Sequence, residues 1–169
     1  YLRQFPIEYL NHYQAEDISW HARNILRFTN SEAPLILFSQ KPNVGTELMV
    51  YYKSNTPMVF GNIARTMAIK QLNVFSAQVF ITHNFHALCT IMFQNKKGMP
   101  LDHDRLNNLR KAIIAGLDDH SQTLDISAST RQIFEIPTKI SFLENMSKKQ
   151  TNLEISTLDR QGLLAKIGI

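Results

Sequence analysis

A single cysteine, Cys89, stands in a chain of 169 residues. One thiol cannot close an internal disulfide, so a reducing, cytoplasmic setting is expected. Long apolar runs are also missing: no stretch approaches the roughly 20 residues that span a bilayer as a helix, and no membrane partner is expected. The first residue, Tyr1, opens neither a signal peptide nor a Met start, so the chain is expected to be cut from something longer. Charge of one sign is scarce. The net charge is +4 with a pI near 9.3, and the lysine pairs Lys96-Lys97 and Lys148-Lys149 stand apart from each other. Scattered charge of this kind reads as a solvated surface rather than a nucleic-acid patch. No nucleophile–base pair, glycine-rich phosphate loop or metal cluster is legible, so no catalytic residue and no bound metal is expected in this stretch. What is present is apolar residue, 44% of the chain, enough for a core in one domain of ordinary size.

The chain is organised around Thr46–Gln94. TELMVYY, residues 46–52, alternates as a strand, with Met49 and Tyr51 on one face and Val50 and Tyr52 on the other. KSNTP, residues 53–57, is turn chemistry, and Pro57 suits the first position of a helix. Phe60, Ile63, Ala64, Met67 and Gln71 then recur at helical spacing and predict a helix apolar on one side. Residues 73–81 return to period two, with Val74, Ser76, Gln78 and Phe80 opposing Phe75, Ala77, Val79 and Ile81. Thr82–His86 predicts a hairpin turn, and Ala87–Phe93, apolar at nearly every residue, a central strand.

Around this unit, Pro6 and the acidic Glu16-Asp17 open two helices before Asn30. Ile18, Ala22, Ile25 and Leu26 form the stripe of the second, with Trp20 beside it. LILFSQ, residues 35–40, is a short strand able to form a hairpin with 46–52. Asp102 caps a helix that presents Leu106, Leu109, Ile113 and Leu117. Residues 118–131 read as a linker. IFEIPTKISFL, residues 133–143, is extended, and Pro137 makes it an edge strand or one that enters the sheet only after the proline. The order from 46 to 143 is β-α-β-β-α-β, which predicts an α+β, ferredoxin-like open-faced sandwich: a four-stranded antiparallel sheet with two helices on one face. Residues 151–157, a turn and GLLAKIGI then repeat the strand, turn and helix start of 46–58 in pattern. The expected division is a helical segment over 1–33, a first sandwich over 34–144, and a linker with the start of a second over 145–169.

LEISTLDRQGLLAKIG, residues 153–168, resembles the opening of an ACT domain, a ferredoxin-like module that binds small ligands, usually amino acids. Residues 46–143 are similar to a whole ACT unit. FPIEYLNHYQAEDISWHARNIL with PLILFSQ and GTELMVYY resembles the segment that joins the HD phosphohydrolase domain to the first ACT unit in bacterial PII uridylyltransferases, and IFEIPTKISFL resembles their inter-ACT segment. The resemblance implies a glutamine-sensing region of an enzyme that adds UMP to the PII signal protein when glutamine is low and removes it when glutamine is high. It implies Mg2+ in the catalytic domains of the parent and no cofactor in this stretch, and ACT units paired within a chain or in a homodimer.

A free amino acid offers a carboxylate and an ammonium. The unpaired N–H groups of a first helical turn suit the carboxylate, an adjacent Asp can take the ammonium, and a glycine lets the ligand approach the backbone. By the ACT pattern the candidate ligand-binding residues are Asp159, Arg160, Gln161, Gly162 and Leu163 in the second unit, and Asn55, Thr56, Pro57 and Met58 in the first. Asn55 and Met58 depart from the pattern, the one a neutral acceptor and the other bulky. The competing reading of Asp159-Arg160 is a helix cap on a solvated turn. His83 with His86, His103-Asp104, Trp20-His21 and Cys89 read as surface turn, exposed helix start, packing and core. Two rivals share the β-α-β-β-α-β order or the ACT pattern. An RRM-like RNA-binding module would need a basic-Gly-aromatic central strand, which 87–93 lacks. The other is an ACT regulatory tail of a different metabolic or alarmone enzyme.

Overall fold

The computed structural model describes residues 2–28, 33–53, 59–118, 137–143, 152–157 and 163–167. After a 3-10 turn at Leu2–Gln4 come helices α1, Ile7–His12, and α2, Ala15–Arg27. Strands β1, Leu35–Lys41, and β2, Gly45–Lys53, follow. Helix α3, Val59–Ile69, leads to β3, Asn73–Ile81, and β4, His86–Gln94. Helix α4, His103–Asp118, β5, Lys139–Leu143, β6, Asn152–Ser156, and α5, Leu163–Ile167, complete the described elements.

Four strands form one antiparallel sheet in the order β1-β2-β4-β3. This is an α+β, ferredoxin-like layer with β4 central, as its unbroken apolar run predicts. One strand departs from expectation. The edge position beside β2 is held by β1 and not by residues 139–143, which pair as β5 with β6 in a separate two-stranded sheet. The reason is local. β1 and β2 are joined by a three-residue turn whose Asn43 has φ 61 and which delivers Gly45 at φ 147. A hairpin closes at small entropic cost, whereas residues 139–143 would have to return across a long connection. A Cβ on Gly45 would meet the Phe93 carbonyl at 2.7 Å, so this turn needs glycine. β5 begins two residues after Pro137, in keeping with the proline rule.

The period-two reading of β3 is also corrected. A bulge between Val74 and Ser76 shifts the register, so Val74 and Ala77 both pack against the same core.

On one face of the sheet, α3 and α4 enclose a core that includes Leu48, Val50, Ile63, Met67, Ile91, Phe93 and Ile113. Cys89 lies within it, fully buried. Helix α4 is capped as expected: Asp102 Oδ1 accepts from the Arg105 N–H at 2.8 Å. Helix α3 is not one-sided. It buries Val59, Gly61, Ile63, Ala64, Thr66, Met67 and Ala68 because the sheet, α4 and α5 cover it from three directions.

The opposite face is not open. Helices α1 and α2 lie across it, and Phe5, Tyr9 and Ile25 pack on Leu35, Met49 and Leu88. The stripe of α2 is rotated from the predicted one. His21 and Ile25 are its buried residues, while Leu26 is half exposed. Trp20 is half-buried at the margin of this second core. The linker expected over 118–131 lies, apart from Asp118, outside the described residues.

Candidate functional site

Of the nine residues expected to bind an amino acid, Leu163 alone is among the described residues; Asn55, Thr56, Pro57, Met58, Asp159, Arg160, Gln161 and Gly162 lie outside them. Leu163 is the first residue of α5 and is half-buried. It lines a cavity of about 550 Å3 between α3, α5 and the edge strand β3. Phe60, Ala64 and Ala68 of α3 form one wall, Leu163, Leu164 and Ala165 of α5 another. The bulged segment of β3 closes the third side with Val74, Phe75 and Ser76, and Lys96 also lines the cavity. The volume suits a small metabolite. Small side chains at 64 and 68, one helical turn apart, make room for it against α3.

The two helices that follow the candidate segments therefore meet: α3 begins one residue after Met58, α5 one residue after Gly162, and they pack against each other. The sequence pattern places the two segments in equivalent positions of two repeats; the packing places their helices side by side.

A second polar assembly was not legible in the sequence. It lies between α1, α2 and the sheet. The Tyr9 hydroxyl and His21 Nδ1 are 3.0 Å apart, and His21 Nε2 is buried with no hydrogen-bond partner. Burial holds the His21 imidazole well below its ordinary value, at about 4, against the opposing pull of Asp17. The Tyr13 hydroxyl is hydrogen-bonded to Thr90 Oγ1 on β4. Burial pushes Tyr13 up to about 12, the Thr90 bond notwithstanding, and Tyr9 is raised by burial as well. Glu47, 5% exposed, lies 3.1 Å from Lys41 Nζ, which also reaches Asp17 Oδ1 at 3.3 Å. Burial acts to lower the Lys41 ammonium, but Glu47 and Asp17 outweigh it and hold it above its usual range. One signal could have found this assembly: Glu47 shares the parity of Met49 and Tyr51, which puts a carboxylate on a face that also carries large apolar groups.

His83 is exposed in the β3–β4 turn, and His86 Nδ1 is 3.1 Å from the Asn84 carbonyl, with its ring stacked on Tyr51. His103 is exposed at the start of α4, with Asn107 as its side-chain neighbour. Among the described residues no three His, Cys, Asp or Glu side chains gather as a metal site would require. Burial pushes the Cys89 thiol up to about 12, which leaves it inert. Among the described residues no helix is long and apolar enough to cross a membrane.

No protein-family model matches the chain. No solved structure matches it. Curated proteins do. The chain is 30% identical over 169 residues to a bifunctional uridylyltransferase/uridylyl-removing enzyme of Vibrio campbellii, and 30% identical over 170 residues to one of Vibrio cholerae. It is 32% identical over 170 residues to the enzyme of Vibrio vulnificus. In each case the match takes in 98% of this chain and 19% of the relative. The chain thus spans about a fifth of the length of the curated relatives it matches. Over nearly its whole length, then, this chain is similar in sequence to one region of the bifunctional uridylyltransferase/uridylyl-removing enzymes.

Proposed function

We propose that the chain is the regulatory ACT region of a uridylyltransferase/uridylyl-removing enzyme and that it senses glutamine on behalf of catalytic domains elsewhere in a longer polypeptide. The observation that carries this is the proportion of the match: 98% of the chain but 19% of each relative. Most of such an enzyme lies outside the match, and in this reading the region serves the chemistry by influencing it.

In this reading Asp159 takes the ammonium of glutamine, and backbone N–H groups near Gly162 and Leu163 take its carboxylate. Arg160 and Gln161 complete that segment, and Asn55, Thr56, Pro57 and Met58 form its counterpart before α3. Because α5 rests on α3, a ligand that fixes the start of α5 biases how the two repeats sit together. A differential affinity for two arrangements is all that allosteric control requires, and about 1–3 kcal/mol of coupling is usual. The PII signal protein is the substrate of the parent in this reading, Mg2+ serves its catalytic domains, and pairing of ACT units, within the chain or in a homodimer, forms the seam at which glutamine binds. The compartment is the cytoplasm.

The test uses the full-length protein. Asp159→Ala is expected to weaken the glutamine response of uridylylation while leaving basal uridylylation in place. A response identical to that of the unsubstituted enzyme removes Asp159 from the site.

A further inference from the structure

The charge of this chain is scattered in sequence but not in space. At the end of the sheet where α3 stops and α4 starts lies a second cavity, about 500 Å3, and four cations line it: Lys70, Lys96, Lys97 and Arg105. They come from three separate places, the turn after α3, the β4–α4 loop and the first turn of α4. One carboxylate, Asp102, lines the same cavity. It is already engaged, capping α4 through Oδ1 and lying 3.5 Å from Arg105 Nε through Oδ2. Among the described residues the three lysines have no carboxylate partner. The floor is apolar, with Leu101 and Leu109 almost fully buried.

Four like charges around one concavity repel one another, and each is stabilised when an anion enters. The loop that carries Lys96 and Lys97 is also held in shape. Asn95 Oδ1 accepts from the Lys97 and Met99 N–H groups at 2.8 and 3.0 Å, and Gly98 takes φ 72. The two lysines therefore project from an ordered turn, and part of the entropic cost of gathering them is already met.

We propose that this cavity binds a small phosphorylated anion: the lysines and Arg105 take the phosphate oxygens. The cavity shares Lys96 with the one that Leu163 lines, but none of the candidate amino-acid residues lines it, and the proposal does not depend on the glutamine reading.

The experiment is an NMR titration of the 15N-labelled 169-residue chain with inorganic pyrophosphate at fixed ionic strength. The amides of Lys70, Lys96, Lys97 and Arg105 should shift together and saturate, with a dissociation constant of about 1 mM or below. Replacing Lys96→Glu and Lys97→Glu together should weaken binding at least about tenfold. The charge-matched control Arg23→Glu with Lys53→Glu, two exposed residues away from the cavity, should change it by less than about twofold. Should the glutamate pair fail to fold, Lys70→Gln with Lys97→Gln is to show the same direction of loss. No saturation, or equal losses in the loop variant and the control, overturns the proposal: the first means no site, the second only general attraction of anions to a basic protein.

Discussion

The two faces of the sheet are made by the same strands yet are built on different principles. On the α3/α4 side the packing is almost wholly apolar: alternate residues of β2 and β4, Leu48, Val50, Cys89 and Ile91, meet Ile63, Met67 and Ile113. On the α1/α2 side the other residues of the same strands supply Glu47 and Thr90, and Tyr9 and His21 of the helices and Tyr13 of their junction answer them. The rings of Tyr9, Tyr13, His21 and Phe80 lie within 4.9–5.9 Å of one another wherever they pair. An apolar face tolerates many arrangements of similar volume; a polar one is satisfied in few. The first face therefore supplies most of the stability, and the second fixes where α1 and α2 sit.

Substitutions separate the two faces. The largest effect is expected from Ile63→Ala, at a position with no exposure: a loss of about 3–4 kcal/mol, read as a lower urea midpoint with an unchanged m-value.

Next comes acid, which should act on the second face. The folded state holds His21 at about 4 against an ordinary 6.5, so the unfolded state takes up the proton first. The contribution of His21 is thus fully present above pH 6.5 and falls away between 6.5 and about 4, by roughly 3 kcal/mol in all. In His21→Phe that part of the pH dependence should vanish, whatever the starting stability; a slope unchanged in the variant assigns it to other groups.

The smallest effect is expected from Tyr13→Phe, which removes the bond to Thr90 and leaves that hydroxyl, 6% exposed, unpaired: about 1 kcal/mol by thermal or urea unfolding. A larger loss than that of Ile63→Ala would reverse the ranking of the two faces.

Much of this was legible in the linear chain. Alternation in TELMVYY assigned Met49 and Tyr51 to one core and Val50 and Tyr52 to the other, and the structure agrees. The α4 cap at Asp102, the turn at Thr82–His86 and the centrality of β4 were equally readable, because each is local chemistry: a carboxylate at a helix start, a turn, a strand apolar on both faces. Errors arose where distant segments compete. The edge beside β2 went to β1 rather than to 139–143; α3 was covered by α5 and lost its exposed side; the bulge in β3 moved Val74 into register with Ala77. The candidate ligand segments were named from their pattern, and Leu163 at the edge of the 550 Å3 cavity is the one of them that the structure describes. The cationic cavity could not have been read at all, since Lys70 and Arg105 lie 35 positions apart in the numbering.

Taken alone, the order of the residues settled which segments become strand or helix and which side of β2 faces each core, because side-chain alternation and capping act over a few residues. Only tertiary structure decided which strand took the open edge, which helix faces became buried, and that four scattered cations share one cavity. Those outcomes depend on the relative cost of closing different loops and on desolvation by whatever happens to pack nearby, and neither is a property of a short window of sequence.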